Sequence, residues 1–241
     1  MQKPINLAID DTENKYVTDT GRDQIIVFDK DENYVRAYGA LGKMKPSDVL
    51  VLDDKLYVAD VSNHRVTVLD KQTGAELFSF GGAGSDEGEL FFPTNLALTP
   101  DGYLLVSDTG NYRIQKYTAD GEFVRSFGAV GTGMGEFSRP KGTAVDRSGR
   151  FYVVDSGFEN VQLFSPEGKL LLFFGGSGNN SEHLNLPADV EIDYDNVHLF
   201  QEYAEPGFGL EYIILVTSQF GLNKIDVFGF GKMEDMIYGD E

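Results

Sequence analysis

Proline recurs as Pro46, Pro93, Pro140 and Pro187, at a constant interval of 47 residues, and the residues around each one recur with it. Self-similarity at a fixed period of this length restricts a chain to arrays or propellers, because each unit must find its packing partner in the next copy. From Pro46 the unit reads SDVLVL, KLYVAD, RVTVLD and ELFSFG. From Pro93 it reads TNLALT, YLLVSD, RIQKYT and FVRSFG, and from Pro140 KGTAVD, RFYVVD, NVQLFS and LLLFFG. An earlier unit starts at Pro4 with INLAID, KYVTD, QIIVFD and YVRAYG. The last, from Pro187, is divergent: ADVEID, HLFQE, EYIILVTS and KIDVFGFG, interrupted by AEPGFGL.

Each unit contains four short runs of β-branched, aromatic and aliphatic residues. Turn pieces such as Asp101-Gly102, Asp120-Gly121, Ser148-Gly149 and Glu167-Gly168 separate them. That is the grammar of strands joined by hairpins. No stretch sustains a 3.6-residue apolar period, so almost no helix is expected. Proline suits the first position of a strand, because it has no N–H to give a neighbour. One four-stranded sheet cannot bury both of its faces, but sheets stacked around an axis cover one another. The expected fold is therefore an all-β propeller of four-stranded antiparallel blades. The blades are expected at about 4–45, 46–92, 93–139, 140–186 and 187–231. Each closes at a glycine: Gly39, Gly81, Gly128, Gly175 and, displaced by the insertion, Gly229.

An acidic residue ends the second run of every unit: Asp19, Asp60, Asp108, Asp155 and Glu202. Catalysis does not need one group five times. A carboxylate that accepts turn N–H groups and pairs with a following arginine does.

The stretches FPTNLAL, LLVSDTGNYRIQKY and GEFVRSFG carry the closest match to a known pattern, and on them the chain resembles NHL-repeat propellers over about residues 4–230. FENVQLFSPEGKLLLFFGG and LVTSQFGLNKIDVFGFGK look more narrowly like a bacterial group of exported six-bladed NHL-repeat proteins. That resemblance implies an extracytoplasmic setting. It also implies that a first blade and a signal peptide are absent from this sequence. A closed five-blade ring and five-sixths of a six-bladed ring are both open, and the second is preferred.

The chain has 241 residues, no cysteine and a net charge of −19. Without cysteine there is no disulfide, no thiolate metal site and no cysteine nucleophile. No apolar run reaches the ~18 residues of a membrane span. Phosphate backbones demand clustered lysine and arginine, so this charge excludes a nucleic-acid surface and suits a basic protein or peptide, or a divalent cation. The loops expected on one face instead carry Asp86, Glu87, Glu89, Glu182, Glu191, Asp193 and Asp195.

The glycine-rich segments GGAGSDEGELFFP, GAVGTGMGEFSRP and GGSGNNSEHLNLP run from strand to strand and recur, so they are blade connectors, not phosphate cradles. Ser177 lies in one of them and is set aside as a nucleophile, and no G-x-S-x-G elbow is present. The second residue after each proline is Asn6, Asp48, Asn95, Gly142 or Asp189. By resemblance this position enters the strand that lines the central channel. Short oxygen-bearing side chains there are expected either to fit turn geometry or to hold a hard cation, Ca²⁺ or Mg²⁺, through Asp48, Asn95 and Asp189. His64, His183 and His198 show no metal-ligand spacing. The insertion Tyr203–Gly209 breaks the repeat, and insertions become loops on one face.

Two functions follow as expectations. The leading one is a non-catalytic binding scaffold that presents an acidic loop face to a basic protein or peptide. Its contacts would be Asp86, Glu87, Glu89, Tyr203, Phe208 and Tyr212, with no catalytic residue and no obligatory cofactor. The alternative is a divalent-metal-dependent hydrolase or lyase, similar to lactonase propellers, with Asp48, Asn95 and Asp189 at the channel.

Overall fold

A computed structural model describes residues 1–176, 178 and 183–234. It is a propeller of five antiparallel sheets. The first blade holds β1 (Pro4–Ile9), β2 (Lys15–Asp19), β3 (Gln24–Phe28) and β4 (Tyr34–Tyr38). The second holds β5 (Pro46–Leu52), β6 (Lys55–Asp60), β7 (Arg65–Asp70) and β8 (Glu76–Gly81). The third holds β9 (Pro93–Leu98), β10 (Leu104–Asp108), β11 (Arg113–Tyr117) and β12 (Phe123–Phe127). The fourth holds β13 (Pro140–Val145), β14 (Phe151–Asp155), β15 (Asn160–Phe164) and β16 (Leu170–Gly175). Among the described residues the fifth has three strands, β17 (Pro187–Asp193), β18 (Phe208–Ser218) and β19 (Ile225–Met233).

The strand period of two distributes each blade's apolar residues to both neighbours. On β14, Tyr152 and Val154 face the fifth blade beside Tyr212, Ile214 and Val216. Their alternates Phe151 and Val153 face the third blade beside Leu105 and Ile114. The same division recurs on β6, where Leu56 and Val58 meet Tyr16 and Ile25 while Tyr57 and Ala59 meet Leu104 and Val106. Each fully buried side chain of this size contributes about 2–3 kcal/mol. The innermost strands pack in sequence, β1 on β5, β5 on β9, β9 on β13 and β13 on β17. Among the described residues no buried apolar cluster joins the fifth blade to the first, and Leu7 on β1 is 50% exposed.

The repeated aspartates are structural. Asp19, Asp60, Asp108 and Asp155 are wholly buried, each opposite its blade's first proline. Asp155 accepts the backbone N–H groups of Ser138 at 2.7 Å, Arg139 at 2.9 Å, Gly157 at 2.8 Å and Phe158 at 3.1 Å. One carboxylate thereby closes its own hairpin turn and fastens the connector from the preceding blade. Burial alone would raise the Asp19 pKa, but four N–H donors, from Lys3, Gln2, Gly21 and Arg22, hold it below the usual carboxylate range.

The fifth blade differs from the expectation. HLFQE is not a strand: Val197–Phe200 forms one helical turn, α1, and Gln201–Tyr203 a 3-10 turn. Asp193 starts this departure by accepting the N–H groups of Asp195 at 2.8 Å and Asn196 at 3.0 Å. EYIILVTS, dense in β-branched residues, pairs directly with β17 as Val190 opposite Val216. The residue opposite Pro187 is then Ser218, not Glu202, and Gly229 lies inside β19 opposite Ile213 instead of closing the blade.

Candidate functional site

The innermost strands fix two distinct ends of the propeller. At the end where they start lie the connectors, with Asn6, Asp48 and Asp189 close together. At the end where they finish lie the hairpins, where Arg147 N–H donates to the Tyr194 hydroxyl at 2.9 Å. Asp86, Glu87 and Glu89 belong to the connector that leads into β9, whereas the insertion follows β17 and lies at the hairpin end. The proposed acidic loop and the insertion therefore do not share a face. Glu191, Asp193 and Asp195 run from within β17 into that hairpin end, away from the 86–89 connector. Glu182 and Ser177 lie outside the described residues.

Within the connector Glu89 is already engaged, its carboxylate accepting Asp86 N–H at 3.0 Å. Glu136 does the same for Gly133 at 2.6 Å in the next connector, so this is a repeated loop clamp. Asp86 and Glu87 are exposed. Of the histidines, His64 accepts Phe92 N–H at 3.0 Å through Nδ1 and stacks on Phe91.

The insertion builds an apolar hollow of about 620 Å³ on the fifth blade. Phe200, Tyr203, Phe208, Leu210, Ile213 and Val227 line it, with Glu205 at its edge. Gln201 pins the loop over the strands. Its Nε2 donates to the Phe208 carbonyl at 2.7 Å and its Oε1 accepts Leu210 N–H at 3.0 Å. Glu234 N–H donates to the Gly207 carbonyl at 2.8 Å and fixes the far side. Tyr203 is 79% exposed at the mouth. The structure thus unites Tyr203 and Phe208, as the broken repeat implied. Phe200, Leu210 and Val227 join them unannounced, because their partnership needs the helical turn and the strand pairing that the sequence did not reveal.

Tyr212 is not part of that hollow. It is 2% exposed and faces the fourth blade. Its hydroxyl donates to Asp146 Oδ2 at 3.0 Å and lies 2.7 Å from the Tyr152 hydroxyl, while Arg150 Nη2 donates to it at 3.3 Å. Arg150 Nε also donates to Asp146 at 2.6 Å. Burial, then the hydrogen bond to Tyr152, drives the Tyr212 pKa far up, so it stays a neutral donor. Its role is to lock two blades together.

The five innermost strands enclose a channel cavity of about 590 Å³. Asn6 Nδ2 donates to Asp48 Oδ1 at 2.7 Å, and Asp189 lies nearby, its own carboxylate accepting Val190 N–H at 3.0 Å. Asp48 further accepts Val49 N–H at 2.8 Å and Leu96 N–H at 2.8 Å. Gly142 carries no side chain because a Cβ there would lie 2.4 Å from the Asp189 Cα. Asn95 is largely buried on β9. The Asn6 amide N–H is directed at the Asp48 carboxyl, and among the described residues no three acidic or imidazole groups converge. Burial, followed by the Asp189 charge, raises Asp48 well above the usual range, and burial raises Asp189 to about 7.

A raised carboxyl pKa makes the folded state bind more protons than the unfolded one. Stability from Asp189 therefore falls as pH rises from its ordinary value of 3.8 to about 7, and is flat above. Unfolding at about pH 8 is therefore expected to cost about 2 kcal/mol less than at about pH 5. Urea unfolding of the chain and of Asp189→Asn at both values checks this. The variant should show the smaller difference. Stabilisation by millimolar CaCl₂ near pH 8, lost in Asp189→Asn, would instead restore a channel cation.

No family model matches the chain. Over 96 residues, 36% of the chain, it is 33% identical to protein brain tumor of Drosophila melanogaster, and this stretch is 9% of that protein. Virginiamycin B lyase from Staphylococcus aureus superposes with a TM-score of 0.65 at 14% identity, over 98% of this chain and 71% of that one. A gluconolactonase from Xanthomonas campestris gives 0.64 at 20% identity, over 89% and 69%. At such identities the structural likeness shows the fold alone. No helix among the described residues is long and apolar enough to cross a membrane. The chain is a β-propeller of five blades with NHL-like repeats.

Proposed function

We propose that this propeller is a binding module that holds a protein or peptide partner in the hollow of the fifth blade. The observation that carries the reading is the convergence of exposed Tyr203 with Phe208 and Leu210 in one pinned apolar concavity. Tyr57, Tyr117, Tyr152 and Phe164, by contrast, are wholly buried in the seams between blades. Tyrosine and phenylalanine in a partly open pocket are the usual anchors of recognition surfaces. A net charge of −19 favours a basic partner and speeds its approach.

The test is a pull-down with the immobilised full chain. Tyr203→Ala should reduce capture of the recovered partner by about tenfold or more, as loss of a hot-spot anchor does. Because Tyr203 is exposed, its unfolding free energy should stay within about 0.5 kcal/mol. The double variant Asp86→Asn with Glu87→Gln, at the opposite end, should keep the partner. Capture that survives Tyr203→Ala and fails in the double variant would move the surface to the connector end.

A further inference from the structure

We propose that the outer edge of β19 receives an extended, basic segment of the partner as the fourth strand of the fifth blade. This rests on the binding reading above and adds the way the partner is held. In the other four blades the third strand is paired on both sides, as β7 is with β6 and β8. β19 holds the third place in its sheet and, among the described residues, pairs only with β18. Leu69, Tyr117 and Phe164 occupy the corresponding place on their third strands and are 5%, 1% and 1% exposed, while Phe28 on β3 is partly buried. Phe228, their counterpart, is only partly buried.

The register shows which groups are free. Ser218 N–H donates to the Lys224 carbonyl at 2.9 Å, so the bonded pairs down this ladder are Val216 with Asp226 and Ile214 with Phe228. Antiparallel alternation then turns the N–H and C=O groups of Ile225, Val227 and Gly229 outward. Val227 and Gly229 also line the hollow. A strand laid on this edge sets one side chain in two over the hollow beside Tyr203, and its alternates over Phe228. Main-chain bonds along the edge supply affinity, and the pocket for alternate side chains supplies selectivity. The rim is acidic: Glu202, Glu205 and Glu234 are exposed and have no ion pair among the described residues, while Lys232 is already paired with Glu211 at 3.3 Å. That charge selects a basic strand.

The probe is a fluorescein-labelled peptide of alternating lysine and valine, about ten residues long, titrated into the full chain by anisotropy. Val227→Pro deletes an outward N–H and no β18–β19 bond, so it should keep the fold and weaken binding by about tenfold or more. Amide exchange of wild-type Ile225, Val227 and Gly229 should be fast in the free protein and slowed about tenfold by peptide. No binding, or equal binding by Val227→Pro with unprotected amides, overturns the proposal. If Tyr203→Ala alone abolishes binding, the hollow stands as a site and strand addition falls. If neither substitution matters, both fall. Slow amides without peptide mean that the edge is already filled, by this chain or by a second copy as light scattering will tell, and this too overturns it.

Discussion

Asp108→Ala should destabilise the protein by about 3–5 kcal/mol, the range for removing one partner of a buried charged network. The carboxylate is wholly buried and four donors converge on it. Phe91 N–H donates at 2.7 Å, Asn111 Nδ2 at 2.8 Å, Arg113 Nε at 2.8 Å and Gln115 Nε2 at 3.0 Å. Arg113 Nη2 continues to the carbonyls of Asp86 at 2.8 Å and Glu89 at 3.0 Å. One side chain therefore ties the connector from the second blade to β11 and to the turn between β10 and β11. Alanine leaves the guanidinium of Arg113, 13% exposed, without its anion and an array of N–H groups without an acceptor. Ser218→Ala, at the same place in the fifth blade, removes among the described residues one long contact to Asn185 N–H at 3.3 Å and should cost about 1 kcal/mol or less. Urea unfolding of both variants gives the comparison. Equal losses would contradict a structural role for the aspartate series.

The second large effect concerns Tyr212. Tyr212→Ala should cost about 3–5 kcal/mol, because it opens a cavity among Tyr152, Ile214 and Phe230 and strands the Asp146–Arg150 pair. Tyr212→Phe keeps the ring stacked on Phe230, with centroids 4.8 Å apart, and removes only the hydroxyl, so about 1–2 kcal/mol is expected. Neither ring change should alter partner capture beyond what unfolding explains. A stable Tyr212→Ala protein that loses its partner would return this residue to the binding surface.

The constant proline interval made the blades legible, and the alternation in LLVSD and FYVVD made the seams legible. Both follow from local chemistry repeated under one packing constraint. The recurrent aspartate was readable as a turn acceptor for the same reason. Where the repeat breaks, that lever is gone. HLFQE has the residues of a strand, and only the capture of two N–H groups by Asp193 turns it into a helical turn. Its misreading carried Glu202 and Gly229 into the wrong places and hid the three-stranded sheet. Tyr203 and Phe208 were readable as a departure from pattern. Tyr212 was not, since an aromatic residue in a strand says nothing about which face it takes until the bulge between Leu210 and Tyr212 sets the register. The acids of the 86–89 loop were read as one face with the insertion because charge was counted along the chain, whereas the ends of the strands assign them to opposite sides.

The most direct test of where this propeller meets its partner is site-specific photo-crosslinking from the full chain. A benzophenone side chain is placed at Tyr203 in one protein and at Glu87 in another, and each is irradiated with the partner recovered by pull-down. A covalent adduct from position 203, competed away by the lysine–valine peptide and absent from position 87, is the expected result. An adduct from position 87 with none from 203 would place recognition at the connector end and contradict a binding surface on the fifth blade.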